Sequence, residues 1–451
     1  MLLFVRSGVG QQGGILCCVV SVGRVVSIVE AASTPWRAAA GLLAFSCDEG
    51  VANPWHGADV TRLDAEELAS RIEVALRAQG TEGPTFDRAV VVDVVGRGSQ
   101  GLSPGEVAYA TATGLDRVFS STFTQSWLAD KPQVFVLEPG ELFPISDMGL
   151  MGTSGYSTRP DRLDLPAGEL PHVRRLDESG ITVRIDARCV ASLDGLLAAS
   201  PLSVAAVVIN EDWSELDVPD ELFPIAAKDP VTQRDRVKRA VAAALSQGSV
   251  VVVVPELCAT VGTVEDMEEL LDETVGPVVV FAGSSHVVRD SVNANEAHVI
   301  LPGVGVAWSH DKFVPYETRD RDREGITTSA MPEVTIACGN HVRVAVLICK
   351  DVLAPKHAEL LGHLGVHLLG VPAMSKGLDD FASAAYTIVG RSQGAMVVAN
   401  NPRVWEGAVV DTALLGHPVA SYQKTDVAHP EATPGFSYGV LGEGWRGSEN
   451  I

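Results

Sequence analysis

Three side chains capable of covalent chemistry stand at the ends of apolar runs that are far apart in the chain. Glu256 ends SVVVVVPE (Ser249 to Glu256), Lys312 ends AWSHDK, and Cys349 ends RVAVLIC (Arg343 to Cys349). The first and last of these runs read as strands buried on both faces, the middle one as a strand of alternating character, and such strands usually end in turn residues. Here they end in a carboxylate, an ammonium and a thiol. Side chains at the ends of neighbouring strands can converge on one pocket. A cysteine nucleophile needs a base to take its proton or a positive neighbour to lower its pKa, and Glu256 and Lys312 supply one of each. The ammonium can also hold the oxyanion of a tetrahedral intermediate.

Each of these residues has a plainer reading. A free cysteine can be a small buried hydrophobe, which is how Cys258 and Cys338 read. Glu256 can be an exposed strand-end carboxylate, and Lys312 can form a surface ion pair with Asp311. Asp351 reads as a cap for the turn after the strand, or as the residue that holds the loop carrying Cys349. Lys350 can offer its backbone N–H to an oxyanion, while its side chain faces solvent or selects an acidic substrate group. His286, His298 and His310 lie in strands of alternating character and read as satisfied structural histidines.

The elements that must position these residues follow a regular order after Pro201. Strands are expected at Ser203 to Asn210, Ser249 to Glu256, Pro277 to Val287, Ala297 to Gly303, Gly305 to Phe313, Arg343 to Cys349, His367 to Ala373 and Ala395 to Asn401. Helices are expected at Asp229 to Gln247, Val264 to Glu273, from Pro355, and from about Leu378 to Gln393. Strands alternating with helices define an α/β domain with a largely covered sheet. The first 200 residues read as a separate mixed α/β domain. Its expected strands are Gly14 to Val22, Val25 to Val29, Ala89 to Val95 and Gln133 to Leu137. Its expected helices are Asp64 to Ala78, with Asp64 as N-cap, and Ser103 to Thr113, with Ser103 as cap and Pro104 at the first helical position. Pro139 to Pro171 reads as a long loop, and TVRIDARCV and SLDGLLAAS as a short strand and a short helix.

Composition limits the function classes. A chain of 451 residues with 46% hydrophobic and 20% charged content is globular and too long for one ordinary core. Its net charge of −23 repels nucleic-acid backbones and anionic lipid, so neither nucleic acid nor a membrane is expected as partner. GILCCVVSV is too short for a membrane span. Seven irregularly spaced cysteines, with no zinc-ligand pattern, suit free thiols in a reducing, cytoplasmic setting.

Taken in order, these segments resemble the nitrilase superfamily of carbon–nitrogen hydrolases, which use a Glu-Lys-Cys triad. The resemblance covers about Leu202 to Asn401. It rests on PE after a valine strand, AGSSH, NEAHVILPGVG with Asn295 at the usual asparagine, DKFVPYE, ICKD and RSQGAMVVANN. It implies an α-β-β-α sandwich over 201–451 that acts as a homodimer and needs no cofactor. It also implies Cys349 as nucleophile, Glu256 as general base and acid, and Lys312 with the Lys350 N–H as oxyanion donors. Glu317 stands at the position of the family's second glutamate, and Asp351 gives support. Cys-Lys-Asp replaces the Cys-Trp-Glu usual in nitrile-cleaving members, which points to a small-molecule amide. After Asn401 the usual strand is poorly matched, with GHPVASYQK as its remnant. Two rival classes share these residues: acyl transfer from the same thioester to an amine, and an inactive nitrilase-like binding or regulatory module.

Overall fold

The computed structural model of the chain describes residues 12–49, 60–80, 85–145, 169–196, 201–318, 322–419 and 422–451. The chain divides into two compact units. The division does not fall at Pro201: Pro132–Pro139 and everything from Asp177 onward belong to the second unit. The reason is strand pairing. Val134–Leu137 and Thr182–Asp186 pair with each other, and the latter pairs with Glu333–Cys338 in the larger sheet of the second unit.

The first unit is mainly helical, a correction to the mixed reading. Its helices are Gln12–Ala31, Pro35–Asp48, Val60–Ala78, Arg88–Gly98 and Pro104–Ala129. A two-stranded antiparallel sheet pairs Leu142–Pro144 with Val173–Arg175. The valine-rich runs expected as strands lie within the first and fourth of these helices. Val25 and Val29, and likewise Val91 and Val95, are buried four residues apart, which is the helical period. Packing on that stripe outweighs the modest β preference of valine. Asp64 lies inside its helix rather than capping it. Ser103 does cap the last helix, in a reciprocal capping box with Glu106, but the helix runs on to Ala129. Most of the expected long loop lies outside the described residues.

The second unit holds two large sheets. The first runs in the order Val134–Leu137, Thr182–Asp186, Glu333–Cys338, Arg343–Val346, Leu368–Ala373, Ala395–Asn400, Ala413–Val419, Tyr422–Ala428. The second runs Gly305–Asp311, Val292–Leu301, Val279–Arg289, Val251–Val253, Ser203–Val208, Gly435–Val440, Gly444–Asn450. Each has a parallel centre: Arg343–Val346, Leu368–Ala373 and Ala395–Asn400 in the first, and Ser203–Val208, Val251–Val253 and Val279–Arg289 in the second. Helices Pro230–Ser246 and Val261–Asp272 cover the second sheet, while Pro355–His363 and Asp379–Ser392 form the layer on the first. The other faces of the two sheets pack on each other. Layers therefore stack as helix, sheet, sheet, helix. The C-terminal tail completes both sheets, since Ala413–Val419 pairs with Ala395–Asn400 and Gly435–Val440 with Ser203–Val208.

The spacing between sheets is set in part by Gly370, over which the Phe281 ring lies. A Cβ at position 370 would meet the ring at 2.3 Å. Gly370→Ala should therefore destabilise the chain by about 1–3 kcal/mol, the usual cost of overpacking, read as a lower urea midpoint at unchanged slope. An unchanged midpoint would show that the two sheets can separate freely at this point.

Candidate active site

Strand ends from both sheets meet here. Past Val251–Val253, Val254 N–H still donates to Phe281 O at 2.9 Å. The chain then turns: Glu256 N–H reaches Ala373 O at 3.4 Å, and Leu257 takes a left-handed φ of 59° with its N–H on Ser284 Oγ at 3.2 Å. Lys312 follows Gly305–Asp311, and its N–H donates to Asn295 O at 2.8 Å. Cys349 comes from the other sheet, after Arg343–Val346. It opens the one-turn helix Cys349–Asp351 with a φ of 47°, a conformation costly for any residue with a Cβ. Its thiol donates to Met374 O at 3.8 Å.

Asp351 ties the cysteine turn to the lysine loop. Its Oδ1 accepts from Phe313 N–H at 3.1 Å and Val314 N–H at 2.7 Å, directly after Lys312. Its Oδ2 accepts from His310 Nε2 at 3.0 Å and from Ile348 N–H at 3.4 Å. The expected supporting role thus has a defined geometry, with every acceptor oxygen committed to structure.

At the centre is a buried ammonium between two carboxylates. Lys312 Nζ donates to Glu256 Oε1 at 2.6 Å and to Glu324 Oε2 at 2.7 Å. Exposure is 2% for Glu256, 4% for Lys312, 4% for Glu324 and 3% for Cys349. Asn295 Nδ2 bridges the carboxylates, donating to Glu256 Oε1 at 2.9 Å and Glu324 Oε1 at 3.0 Å. Glu324 also accepts from Tyr316 N–H at 2.7 Å and from His286 Nε2 at 2.9 Å. Ile225 N–H donates to His286 Nδ1 at 2.9 Å, so Nδ1 is unprotonated and Nε2 carries the hydrogen.

These surroundings drive the two carboxylates apart. Burial raises the Glu256 pKa, and the pull of Lys312 does not offset it because the charge of Glu324 adds to the rise. Burial also works against ionised Glu324, but the Lys312 charge and the bonds from His286, Lys312 and the Tyr316 N–H outweigh it, holding Glu324 well below the usual range. Lys312 is disfavoured as a cation by burial, yet the two carboxylates lift its pKa above that of a free lysine. Burial, then the charge of Glu256, raise the Cys349 pKa against the opposing pull of Lys312, so the resting group is a thiol. Two titratable partners with divergent environments are the arrangement from which acid–base roles are assigned.

Glu256, Lys312, Glu324, Tyr316 and Cys349 line one pocket. The rest of its wall is Trp213, Leu222, Ile225, Leu257, Met374 and Trp405. The surface readings of Glu256 and Lys312 are thereby overturned, and Asp311 pairs with Arg289 instead. Glu317 is a correction: it is exposed, bridges backbone to backbone with Arg323, and does not line the pocket. The second carboxylate on Lys312 is Glu324, seven residues later. Lys350 is half-buried, with Nζ 5.4 Å from the centre of the Tyr316 ring, and is not part of the lining. His286 and His310 are satisfied, as expected of structural histidines, but by Glu324 and Asp351 of the site itself; His298 pairs with Ser309 Oγ at 2.8 Å. Among the described residues no group of three His, Cys, Asp or Glu is placed to hold a metal ion, and no helix is long and apolar enough to cross a membrane.

The second unit is thus an α/β sheet sandwich with a buried Glu-Lys-Cys cluster between the sheets' strand ends. No protein-family model matches the sequence, and no curated protein matches it. Among solved structures, an amidase from Nesterenkonia sp. is similar over 54% of this chain and 91% of its own, at 16% identity and a TM-score of 0.41. A mutant of the Nesterenkonia sp. AN1 amidase in complex with butyramide is similar over 54% of this chain and 92% of its own, at 15% identity and a TM-score of 0.41. Nit3 of Saccharomyces cerevisiae, a member of branch 10 of the nitrilase superfamily, is similar over 53% of this chain and 90% of its own, at 13% identity and a TM-score of 0.42. The match to nitrilase-superfamily proteins therefore spans about 54% of the chain, and the remainder is unassigned.

Removing the shared cation would leave two carboxylates facing each other without water. Lys312→Met should cost roughly 3–5 kcal/mol of stability, as breaking other buried ion pairs does. Lys312→Met combined with Glu324→Gln should recover part of that loss in urea unfolding. Equal stability of wild type and Lys312→Met would mean that the carboxylates are not both charged in the fold.

Proposed function

We propose that the sandwich unit is a thiol hydrolase of the nitrilase type that cleaves a non-peptide C–N bond, an amide, through a thioester on Cys349. One observation carries this reading: a buried thiol shares a pocket with a carboxylate of raised pKa and an ammonium that stays charged.

Because burial keeps Cys349 protonated at rest, its proton must leave as the bond forms. Ionised Glu256 takes it while Sγ attacks the amide carbonyl carbon. Both Glu256 hydrogen bonds among the described residues fall on Oε1, from Lys312 and Asn295. Oε2 is the atom that meets the thiol proton. The carbonyl oxygen becomes an oxyanion held by Lys312 Nζ and the backbone N–H of Lys350. On collapse the C–N bond breaks, and protonated Glu256 returns its proton to the leaving nitrogen. Ionised again, Glu256 deprotonates a water that attacks the thioester, and the released thiolate recovers its proton from Glu256. Glu324, fully hydrogen-bonded, takes no proton in this cycle. It holds Lys312 in place and keeps the pKa of Glu256 high.

Incubation with a primary amide should leave an acyl adduct on Cys349 detectable by mass spectrometry, and Cys349→Ala should abolish both the adduct and ammonia release. Glu256→Gln should lower kcat/KM by about 10²–10⁴-fold. The base must be ionised to act, so activity should fall as pH drops through the Glu256 pKa. The midpoint of that acid limb should lie above the ordinary glutamate value of about 4.3. A limb that persists unmoved in residual Glu256→Gln activity would remove Glu256 from the role.

A further inference from the structure

Apart from Glu256, Lys312, Glu324, Tyr316 and Cys349, the pocket lining is entirely apolar. Trp213 and Trp405 meet edge to face, ring centres 4.7 Å apart at 82°, and pack with Leu222 around Leu257 and Met374. We propose, building on the hydrolase reading, that this wall is the acyl subsite, and that the substrate is an amide whose acyl group is uncharged and apolar, larger than acetyl.

Charge and placement both support this. Among the described residues, the ionised side chains on the lining are three, already paired with one another. A carboxylate on the acyl chain would find no free cation there and would face Glu256 and Glu324. Lys350 lies against the Tyr316 ring, and Lys376 and Arg403 of the neighbouring segments are paired with Glu406 and Glu211. The acyl part is the portion that stays bonded to Cys349 after the amine departs, so it is the portion that a wall beside Cys349 and Met374 retains.

The wall is also braced. Trp405 stands on a hairpin that pairs Val404–Trp405 with Ala408–Val409. Its root is held to the Trp213 segment by Arg403 N–H on Asn210 O at 3.1 Å, Val404 N–H on Glu211 O at 2.7 Å, and the Arg403 guanidinium on the Glu211 carboxylate, Nε to Oε2 at 2.9 Å. Near its turn, Glu406 pairs with Lys376 at 2.7 Å. Both indoles are fixed relative to each other by bonds that no substrate needs to form.

The test measures ammonia release by the full chain from acetamide, hexanamide, benzamide and succinamate, with the mass of the Cys349 adduct as a second readout. kcat/KM should rise at least ~10-fold from acetamide to hexanamide or benzamide, since apolar groups discriminate by about 10-fold or more per well-packed increment, and succinamate should not exceed acetamide. Trp405→Ala should raise KM for hexanamide more than for acetamide, and Trp405→Phe should recover most of that difference. Succinamate turned over as well as hexanamide, or Trp405→Ala affecting both amides equally, would overturn the acyl-subsite assignment and leave the hydrolase intact. No ammonia and no adduct from any of the four would overturn both.

Discussion

One ammonium shared by two carboxylates, out of reach of water, is the constraint on which the site depends. Neither carboxylate can be charged there without Lys312, and Lys312 cannot be charged there without them. One cation does not neutralise two anions, so the environment must decide which carboxylate gives way. Among the described residues Glu324 accepts from Lys312, Asn295, His286 and the Tyr316 N–H, whereas the N–H donors to the Glu256 carboxylate are Lys312 and Asn295. The better-solvated group keeps its charge, and the other becomes the place where a proton can rest. Burial, together with fewer hydrogen bonds, thus pushes the Glu256 pKa up while that of the chemically identical Glu324 is held down.

The arrangement also depends on how the two sheets face each other. Glu256, Lys312, Asn295 and His286 are all carried by the second sheet or the loops that leave it, while Cys349 leaves the first. Glu256 and Cys349 therefore meet across the interface between the two sheets, of which the Gly370–Phe281 contact is a part. Asp351 adds a link that packing alone does not give. By holding both the Cys349 turn and the backbone after Lys312, it makes the left-handed cysteine and the lysine loop one body. Strain at Cys349 is tolerable because the turn around it is over-determined.

Much of this unit could be read in the sequence because strands buried on both faces write themselves as uninterrupted apolar runs, and their last residues mark the sheet's chemical edge. Glu256, Lys312, Cys349 and Asp351 fall at such edges. Glu324 does not: it sits in RDREG, a charged stretch with no period, and only the fold brings it back to Lys312. Glu317 was the nearer glutamate in sequence and the wrong one in space. The N-terminal helices were hidden for a different reason. Valine at a spacing of four looks like strand by composition and helix by period, and at Val91 and Val95 the period is what packing obeys. The tail beyond Asn401 carries glycines and prolines that obscure its pattern, yet pairing with Ala395–Asn400 and Ser203–Val208 imposes strand on it.

The pocket wall was the least legible part, since its residues come from segments that follow four different strands of the two large sheets and that no local pattern relates. What relates them is the end of one strand. Asn400 and Asn401 are fully buried side-chain amides. Asn400 accepts from Ser375 N–H at 2.7 Å and donates to Ser375 O at 2.8 Å and Asp411 O at 3.1 Å, fixing the segment that carries Met374 and the far side of the Trp405 hairpin. Asn401 accepts from Asn210 N–H at 2.9 Å, at the start of the segment that carries Trp213. Buried amides in loops are retained where backbone groups would otherwise be left without partners. Met374 and Trp405 thus follow strands of the first sheet, while Trp213, Leu222, Ile225 and Leu257 follow strands of the second. The Trp405 hairpin is rooted by Asn400 and Asn401 and takes no part in the Lys312 hydrogen bonds to Glu256 and Glu324, whereas Ile225 on the opposite wall donates to His286 and so touches the charged cluster directly.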